Sequence, residues 1–357
     1  MRAVVCHGRH DLRVEPVETT PLAADQVRVA VAFGGICGSD MHYFHRGAVG
    51  DFAVRQPLVL GHEISGVVAE VGAAATHLRP GMKAALDPSR PCLTCAYCRE
   101  GRMNLCADMW FLGSAGRFPH SQGGFSQALT LRMDQIIPVP DDTDLLELSV
   151  AEPLSVGLHA VNRAGNLLGK RVIVTGSGPI GLLTARSAAL AGAAQVVCTD
   201  IEDAPLAIAR AHMGATDTVN VARDAARFDD WAAAGGHFDV AFEASGTHAA
   251  LNSLFPILRK GGKIVQVGMC PPGPAPIPIN MLQAREIELL GAFRANGEFR
   301  DAVEAIVTRR IDVRPILSGT FPIARAEDAF HQAGDRSRVI KLHIAIQDGA
   351  IQEEPTA

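Results

Sequence analysis

The stretch Arg171-Val172-Ile173-Val174-Thr175-Gly176-Ser177-Gly178-Pro179-Ile180-Gly181 decides the fold of this 357-residue chain. Its first five residues read as a short apolar strand, and glycine follows at once. Gly176-x-Gly178-x-x-Gly181 then has the spacing of a phosphate-binding turn. Gly176 allows the tight turn, Gly178 lets the backbone approach a pyrophosphate, and Gly181 lets helix and strand pack closely. Pro179 and Ile180 lie within this loop and open an Ala/Leu-rich helix to about Ala191, whose first N–H groups and positive dipole end suit phosphate. A second strand, Gln195 to Thr199, ends in Asp200, nineteen residues beyond Gly181. A carboxylate there can accept hydrogen bonds from both hydroxyls of an adenosine ribose, and it repels the extra phosphate of NADP. Ile201-Glu202-Asp203 adds negative charge with no arginine close by. NAD is therefore expected rather than NADP.

Outward from this unit, strand and helix keep alternating through Phe238 to Glu243 and Gly262 to Gly268, which predicts a parallel doubly wound sheet, a Rossmann domain. A helix from Ala151-Glu152-Pro153 to about Ala164 leads into it. The first 150 residues read differently, as mostly antiparallel β in a barrel-like domain. Gln26 to Val31 alternates at period two, Leu58 to Leu60 and Gly66 to Val71 supply further strands, and Gly34-Gly35, Arg79-Pro80-Gly81 and Gln122-Gly123-Gly124 mark turns. After residue 293 a helix from Glu298 to Thr308 and a strand from Val339 to Ile344 are expected to rejoin the first domain. The expected division is residues 1–153 with 294–357 for the β domain and 154–293 for the Rossmann insertion. The tract Pro271 to Pro278 reads as a stiff loop, and Asp348 to Ala357 as a frayed polar tail.

Thirty-three Lys and Arg against thirty-eight Asp and Glu leave a net charge of -5 without blocks, so no basic face for nucleic acid is apparent. At 48% hydrophobic and 20% charged residues, the chain has the composition of a packed protein rather than a disordered one. No apolar run approaches the length needed to cross a bilayer, and Met1 to His7 reads as a strand rather than a secretory signal. A cytoplasmic protein that binds neither membrane nor nucleic acid is expected.

Eight cysteines are present, and four of them fall within fifteen residues as Cys92-x2-Cys95-x2-Cys98-x7-Cys106. Four thiolates delivered by two-residue gaps suit a tetrahedral structural zinc with no open position. An iron–sulfur cluster or four free thiols are the alternatives. A zinc ribbon touching nucleic acid through Arg90, Arg99 and Arg102 is a third, disfavoured by the acidic total charge. A second set is dispersed: Cys37, in Gly35-Ile36-Cys37-Gly38-Ser39-Asp40-Met41-His42-Tyr43, and His62 with Glu63 after Gly61. Both stretches follow strands, and strand ends are where ligands distant in sequence can converge. Cys, His and carboxylate leave a fourth position for water or substrate, which is the composition of a catalytic zinc site.

Taken together, the stretch from Cys37 to Glu70, the four-cysteine loop and the Rossmann half resemble the zinc-containing medium-chain dehydrogenases over nearly the whole chain. The resemblance implies a GroES-like catalytic domain, two zinc ions per chain and NAD. It implies Cys37 and His62 as ligands of the catalytic zinc. Members acting on simple alcohols carry a third-ligand Cys where this chain has Glu152, which is similar to the sorbitol dehydrogenase branch. In that branch Glu63 is a ligand and Glu152 holds the metal-bound water or replaces it; the two remain open as inner-sphere candidates. Ser39 and His42 match relay positions that carry the alcohol proton to solvent, and Val267, Phe293 and Arg294 fall where the nicotinamide is met. Lys341 reads either as a pyrophosphate contact or as a solvated strand lysine.

Further stretches narrow the reading within the branch: Gly47 to Phe52, Asp87 to Cys92, and Phe111 to Ala115 with Phe118-Pro119-His120. They are similar to members that oxidise a sugar acid, with Tyr43, Phe118, His120 and Arg294 as substrate contacts and Arg46 and Arg117 as further cations. A neutral polyol such as sorbitol or xylitol is the alternative substrate. A homo-oligomer, tetramer or dimer, is expected from the same resemblance.

Overall fold

The computed structural model describes residues 1–348, so the polar tail expected beyond Asp348 lies outside the described residues. Contacts divide the chain into two compact units. One comprises Met1–Glu152, Phe299–Asp335 and the described residues from Lys341; the other comprises Pro153–Glu298 with Arg336–Ile340. The return to the first unit thus falls at Phe299 rather than at 294. The reason is local: Glu298 accepts hydrogen bonds from His159 and Asn162, both 3.0 Å, which keeps the preceding residues with the second unit.

The second unit is built on six parallel strands in the order Asp217–Asn220, Gln195–Asp200, Arg171–Thr175, Phe238–Glu243, Leu258–Gln266, Glu288–Gly291. Val172, Ile173 and Val174 are all fully buried, as a strand covered on both faces requires. Ile173, Val197, Phe238, Phe255 and Ile264 share one apolar cluster. The helix Pro179–Leu190 begins directly after Gly178 with proline in its first turn, where no N–H is needed. Gly176 has φ +83°, and a Cβ there would come within 2.6 Å of the Ser245 nitrogen. A Cβ at Gly181 would collide with the Gly176 carbonyl. Both glycines are fixed by close approach.

The first unit is mostly antiparallel β. One sheet joins Ile136–Pro138, Lys83–Leu86, Glu63–Val71, Gln26–Gly35, Lys341–Ala345 and Leu317–Pro322 in that order, with Ala128–Arg132 also paired to Gln26–Gly35. Only Leu317–Pro322 runs parallel to its neighbour. A smaller sheet pairs Arg2–Gly8 with Asp11–Pro16 and Leu58–Val59.

Two local features depart from the sequence reading. The strand that begins at Gln26 runs on past Val31 through Gly34-Gly35, which the sequence reading gives as a turn, and a helix, Gly38–Arg46, follows Cys37. Cys37 is the N-cap, and the Asp40 carboxylate accepts the Cys37 N–H at 3.0 Å. Asp40, Tyr43 and Phe44 fall inward at helical spacing. With nine residues the helix offers too few turns for its periodicity to stand out. Among the described residues no helix is long and apolar enough to cross a membrane.

Candidate metal centre and dinucleotide turn

In the first unit, donor atoms of Cys37, His62 and Glu63 lie within 4.8 Å of one another. Cys37 is half-buried and the other two are buried. Asp40 brings the two motifs together. One of its oxygens takes the Cys37 N–H and the other takes the Gly61 N–H at 3.3 Å, so a single carboxylate braces the backbone beside both ligands. Its Oδ1 also lies 3.8 Å from His62 Nδ1. Asp40 was visible in the sequence as the third residue after Cys37, but its bracing role needs the fold.

Strand register builds the rest of the site. Glu63, Gly35 and His343 stand side by side on three neighbouring strands, with Gly35 paired to both. Lys341, two residues before His343, is on the same face. A side chain at Gly35 would collide with Glu63 Oε2 and reach within 3.1 Å of Lys341 Cε and 3.3 Å of His343 Nε2. The bare glycine therefore lets Glu63 and Lys341 meet across the middle strand. Lys341 Nζ donates to Glu63 Oε1, contacts Oε2, and donates to the Ile36 carbonyl at 3.0 Å. Lys341 is only 3% exposed, which corrects both expectations for it: it is neither a pyrophosphate contact nor a solvated strand residue. The strand Lys341–Ala345 lies inside the sheet between two partners, and all five of its residues are buried.

The electrostatics of the pocket favour a cation. Burial opposes charge on His62, but negative charge on Cys37, Asp40 and Glu152 outweighs it and carries the imidazole pKa up to about 10. Burial likewise opposes charge on Lys341, and Glu63 and Cys37 again reverse it, raising its pKa. His343 goes the other way: burial, aided by Lys341, drops it to about 3, so it is neutral. A soft thiolate, an imidazole and a carboxylate with an excess of negative charge form a set that zinc fits. Glu152, buried at the start of the helix Ala151–Ala164, acts on His62 and Lys341 through its charge but lies outside the tight donor group.

Ser39 and His42 sit in the first turns of the Gly38–Arg46 helix, both half-buried. Tyr43 is buried, and its hydroxyl accepts the Ala115 N–H at 2.9 Å. His120 is 3% exposed with both ring nitrogens engaged by main chain: Nδ1 donates to the Arg117 carbonyl at 2.8 Å and Nε2 accepts the Arg55 N–H at 2.9 Å. The ring is therefore part of the loop's own bracing. Phe118 is 58% exposed beneath the Arg55 guanidinium. Arg117 stacks 3.8 Å from the centre of Trp110 and bonds Asp108.

The four cysteines close into one cluster, again with all sulfurs within 4.8 Å. Cys92 to Cys98 and Cys95 to Cys106 are each 4.0 Å apart. A tetrahedron with zinc–sulfur bonds of about 2.3 Å has edges of about 3.8 Å, so the spacing suits zinc. Main-chain N–H groups of Thr94 and Cys95 point at Cys92 Sγ, at 3.5 and 3.3 Å.

In the second unit, the Asp200 carboxylate accepts N–H groups of Ser177 at 2.6 Å, Ile201 at 2.7 Å and Glu202 at 3.1 Å. It is thereby fixed against the glycine turn. The neighbouring strand ends at Asn220, opposite Asp200, and the turn beyond it brings in Arg223. This corrects the expectation that no arginine is near, because that reading covered only residues adjacent in sequence. Arg223 is answered by Asp203 through two bonds of 2.7 Å. The N–H of Val267 donates to the Glu243 carbonyl. Phe293 is 44% exposed, and Arg294, at φ +55°, lies over its ring.

Two family models match this architecture: the alcohol dehydrogenase GroES-like domain over residues 23–141, and zinc-binding dehydrogenase over residues 179–308. The chain belongs to the zinc-containing medium-chain dehydrogenases. Among its relatives, it is 40% identical over 316 residues to L-idonate 5-dehydrogenase (NAD(P)(+)) of Escherichia coli, covering 88% of this chain and 90% of that one. It is 36% identical to sorbitol dehydrogenase of Gallus gallus over 92% of each chain. The crystal structure of the Escherichia coli L-idonate 5-dehydrogenase is similar with a TM-score of 0.92 at 38% identity, covering 96% of this chain and 97% of that one.

Proposed function

We propose that this chain catalyses the reversible, NAD-linked oxidation of L-idonate to 5-keto-D-gluconate at a zinc centre held by Cys37, His62 and Glu63. The observation that carries the reading is the convergence of those three donors in a buried pocket whose charge favours a cation. Glu152, whose charge acts on His62 and Lys341, is the candidate to exchange with Glu63 as ligand. The four-cysteine loop holds a second, structural zinc. Likeness to the Escherichia coli L-idonate enzyme supports the sugar acid. When bound, zinc would lend Lewis acidity at the substrate hydroxyl and NAD would provide the acceptor for the hydride of its carbon.

The chain's own groups do the rest. Ser39 hydrogen-bonds the substrate hydroxyl and relays its proton by giving up its own hydroxyl proton as it accepts the substrate's, and His42 passes the relayed proton to solvent. Lys341 balances Glu63 so that two buried carboxylates can face one site. Gly176, Gly178 and Gly181 with the Pro179–Leu190 helix N-terminus hold the pyrophosphate, and Asp200 the adenosine ribose. Arg294 supplies a cation for the idonate carboxylate. Oxidation of the secondary alcohol yields the ketone, NADH and one proton.

A second reading, a neutral polyol substrate, is favoured by likeness to sorbitol dehydrogenases. An NADH-absorbance screen over sugar acids and polyols, with NADP in parallel and a chelator control, separates them. L-idonate with NAD is expected to give the highest kcat/KM, lost on chelation. Higher kcat/KM on sorbitol or xylitol moves the assignment to the second reading. Chelator-resistant turnover removes the metal mechanism.

A further inference from the structure

Glu243 ends the strand Phe238–Glu243 and is 0% exposed, yet among the described residues no cation forms an ion pair with it. The dehydrogenase chemistry above does not use it. Its charge is met by hydrogen-bond donors. Oε1 accepts the N–H of Ser245 at 2.8 Å, the N–H of Gly246 at 3.1 Å and the Ser245 hydroxyl. Oε2 accepts the Gly246 N–H at 3.1 Å and the Gln266 amide. Its main-chain carbonyl accepts the N–H groups of both Val267 and Gly268 at 2.8 Å. One residue thus ties the turn at 244–247 to the turn at 267–268, at the carboxyl end of the parallel sheet.

The clamped turn also meets the glycine loop. Ala244 N–H donates to the Thr175 carbonyl at 2.8 Å, and Ser245 is the residue that a Cβ at Gly176 would strike. Four donors converge on the side chain, and a carboxylate, which accepts through both oxygens, meets them all. An amide in its place would turn N–H toward N–H.

We propose that Glu243 is a positioning residue of the dinucleotide site: its carboxylate fixes the 244–247 turn against Gly176 and so sets the shape of the pyrophosphate cradle. The inference rests on the reading that a nicotinamide dinucleotide occupies the glycine turn. Ligands in doubly wound sheets bind at this end of the strands, so a displaced turn acts on cofactor affinity first.

The test uses the full-length, zinc-loaded protein and measures NADH affinity by fluorescence, together with kcat, both KM values and zinc content. Glu243→Gln is expected to raise the NADH Kd and the KM for NAD roughly tenfold, the scale of one misplaced buried hydrogen bond. Its kcat is expected within about twofold of wild type, with the KM for the alcohol and zinc content unchanged, because the first unit is untouched. Gln266→Met removes one donor, keeps the carboxylate and is expected to show the same pattern at about threefold. If Glu243→Gln does not fold, Gln266→Met decides alone. Unchanged NADH affinity in folded variants, or a loss confined to kcat, overturns the inference while leaving the dehydrogenase reading in place. Absence of NADH binding by the wild-type protein instead overturns that reading.

Discussion

The four-cysteine loop and the Cys37 centre are both zinc-type donor clusters, yet they are assembled in opposite ways. The loop draws all its sulfurs from Cys92 to Cys106 and leaves three of the four half-buried, with main-chain N–H groups aimed at Cys92. The Cys37 centre draws on Cys37, His62 and Glu63, is braced by Asp40, and is balanced by Lys341, 278 residues from Glu63. A site closed on itself needs only its own loop. A site that must face substrate needs a scaffold holding ligands from several strands and a compensating charge behind them.

That contrast can be broken or sharpened by substitution. The largest effect is expected from Cys37→Ala: loss of alcohol-dependent NADH formation, with zinc falling from about two to about one per chain by metal analysis. Full activity in this variant removes the Cys37 centre from the chemistry.

Lys341→Met comes next. It leaves Glu63 buried without its cation, a change that costs on the order of 3–5 kcal/mol of stability when a buried pair loses one member. Turnover is expected to fall roughly 10–100-fold, as for other supports of metal ligands. Because zinc can replace the missing positive charge, denaturation should show the metal-free protein destabilised more than the zinc-loaded one. Equal losses would mean that Lys341 serves packing alone.

Cys95→Ser should reverse the pattern. Thermal melting is expected several degrees lower, with one zinc lost, while kcat per folded molecule stays within about twofold, since a closed site supports structure. A kcat loss as deep as that of Cys37→Ala would erase the distinction between the two clusters.

The smallest effect on turnover is expected at Glu298, outside both clusters. Burial raises its pKa, but hydrogen bonds from His159 and Asn162 outweigh this and hold it at about 2. A carboxylate depressed in the folded state stabilises above its unfolded pKa and loses that contribution as pH falls toward the folded value. Denaturant titrations from pH 7 to pH 3 should therefore show stability lost below about pH 4.5, a contribution on the order of 3 kcal/mol at neutral pH that Glu298→Gln lacks. An unchanged acid limb in that variant would remove the pair from the stability of the second unit.

Legibility in the sequence followed the same division. The strand Arg171–Thr175, its glycine turn and the Phe238–Glu243 strand stand as read, because apolar runs bounded by glycine signal themselves locally. The Gly38–Arg46 helix did not, since nine residues with mixed polarity carry little periodicity. Lys341 and His343 have no motif around them, so the sequence does not signal their burial beside Glu63. Arg223 was missed for a related reason: it reaches Asp203 from the turn after the neighbouring strand.

The sequence by itself determined the doubly wound sheet, the mostly antiparallel companion domain, the four-thiolate loop and the residues able to bind metal. Each depends on neighbours a few positions apart, where backbone geometry fixes spacing. Only the tertiary structure decided that Gly35 lies between Glu63 and His343, that Lys341 neutralises Glu63, and that Glu243 clamps two turns. Those contacts are set by strand register and by burial, which make ionised groups seek partners wherever the sheet delivers them.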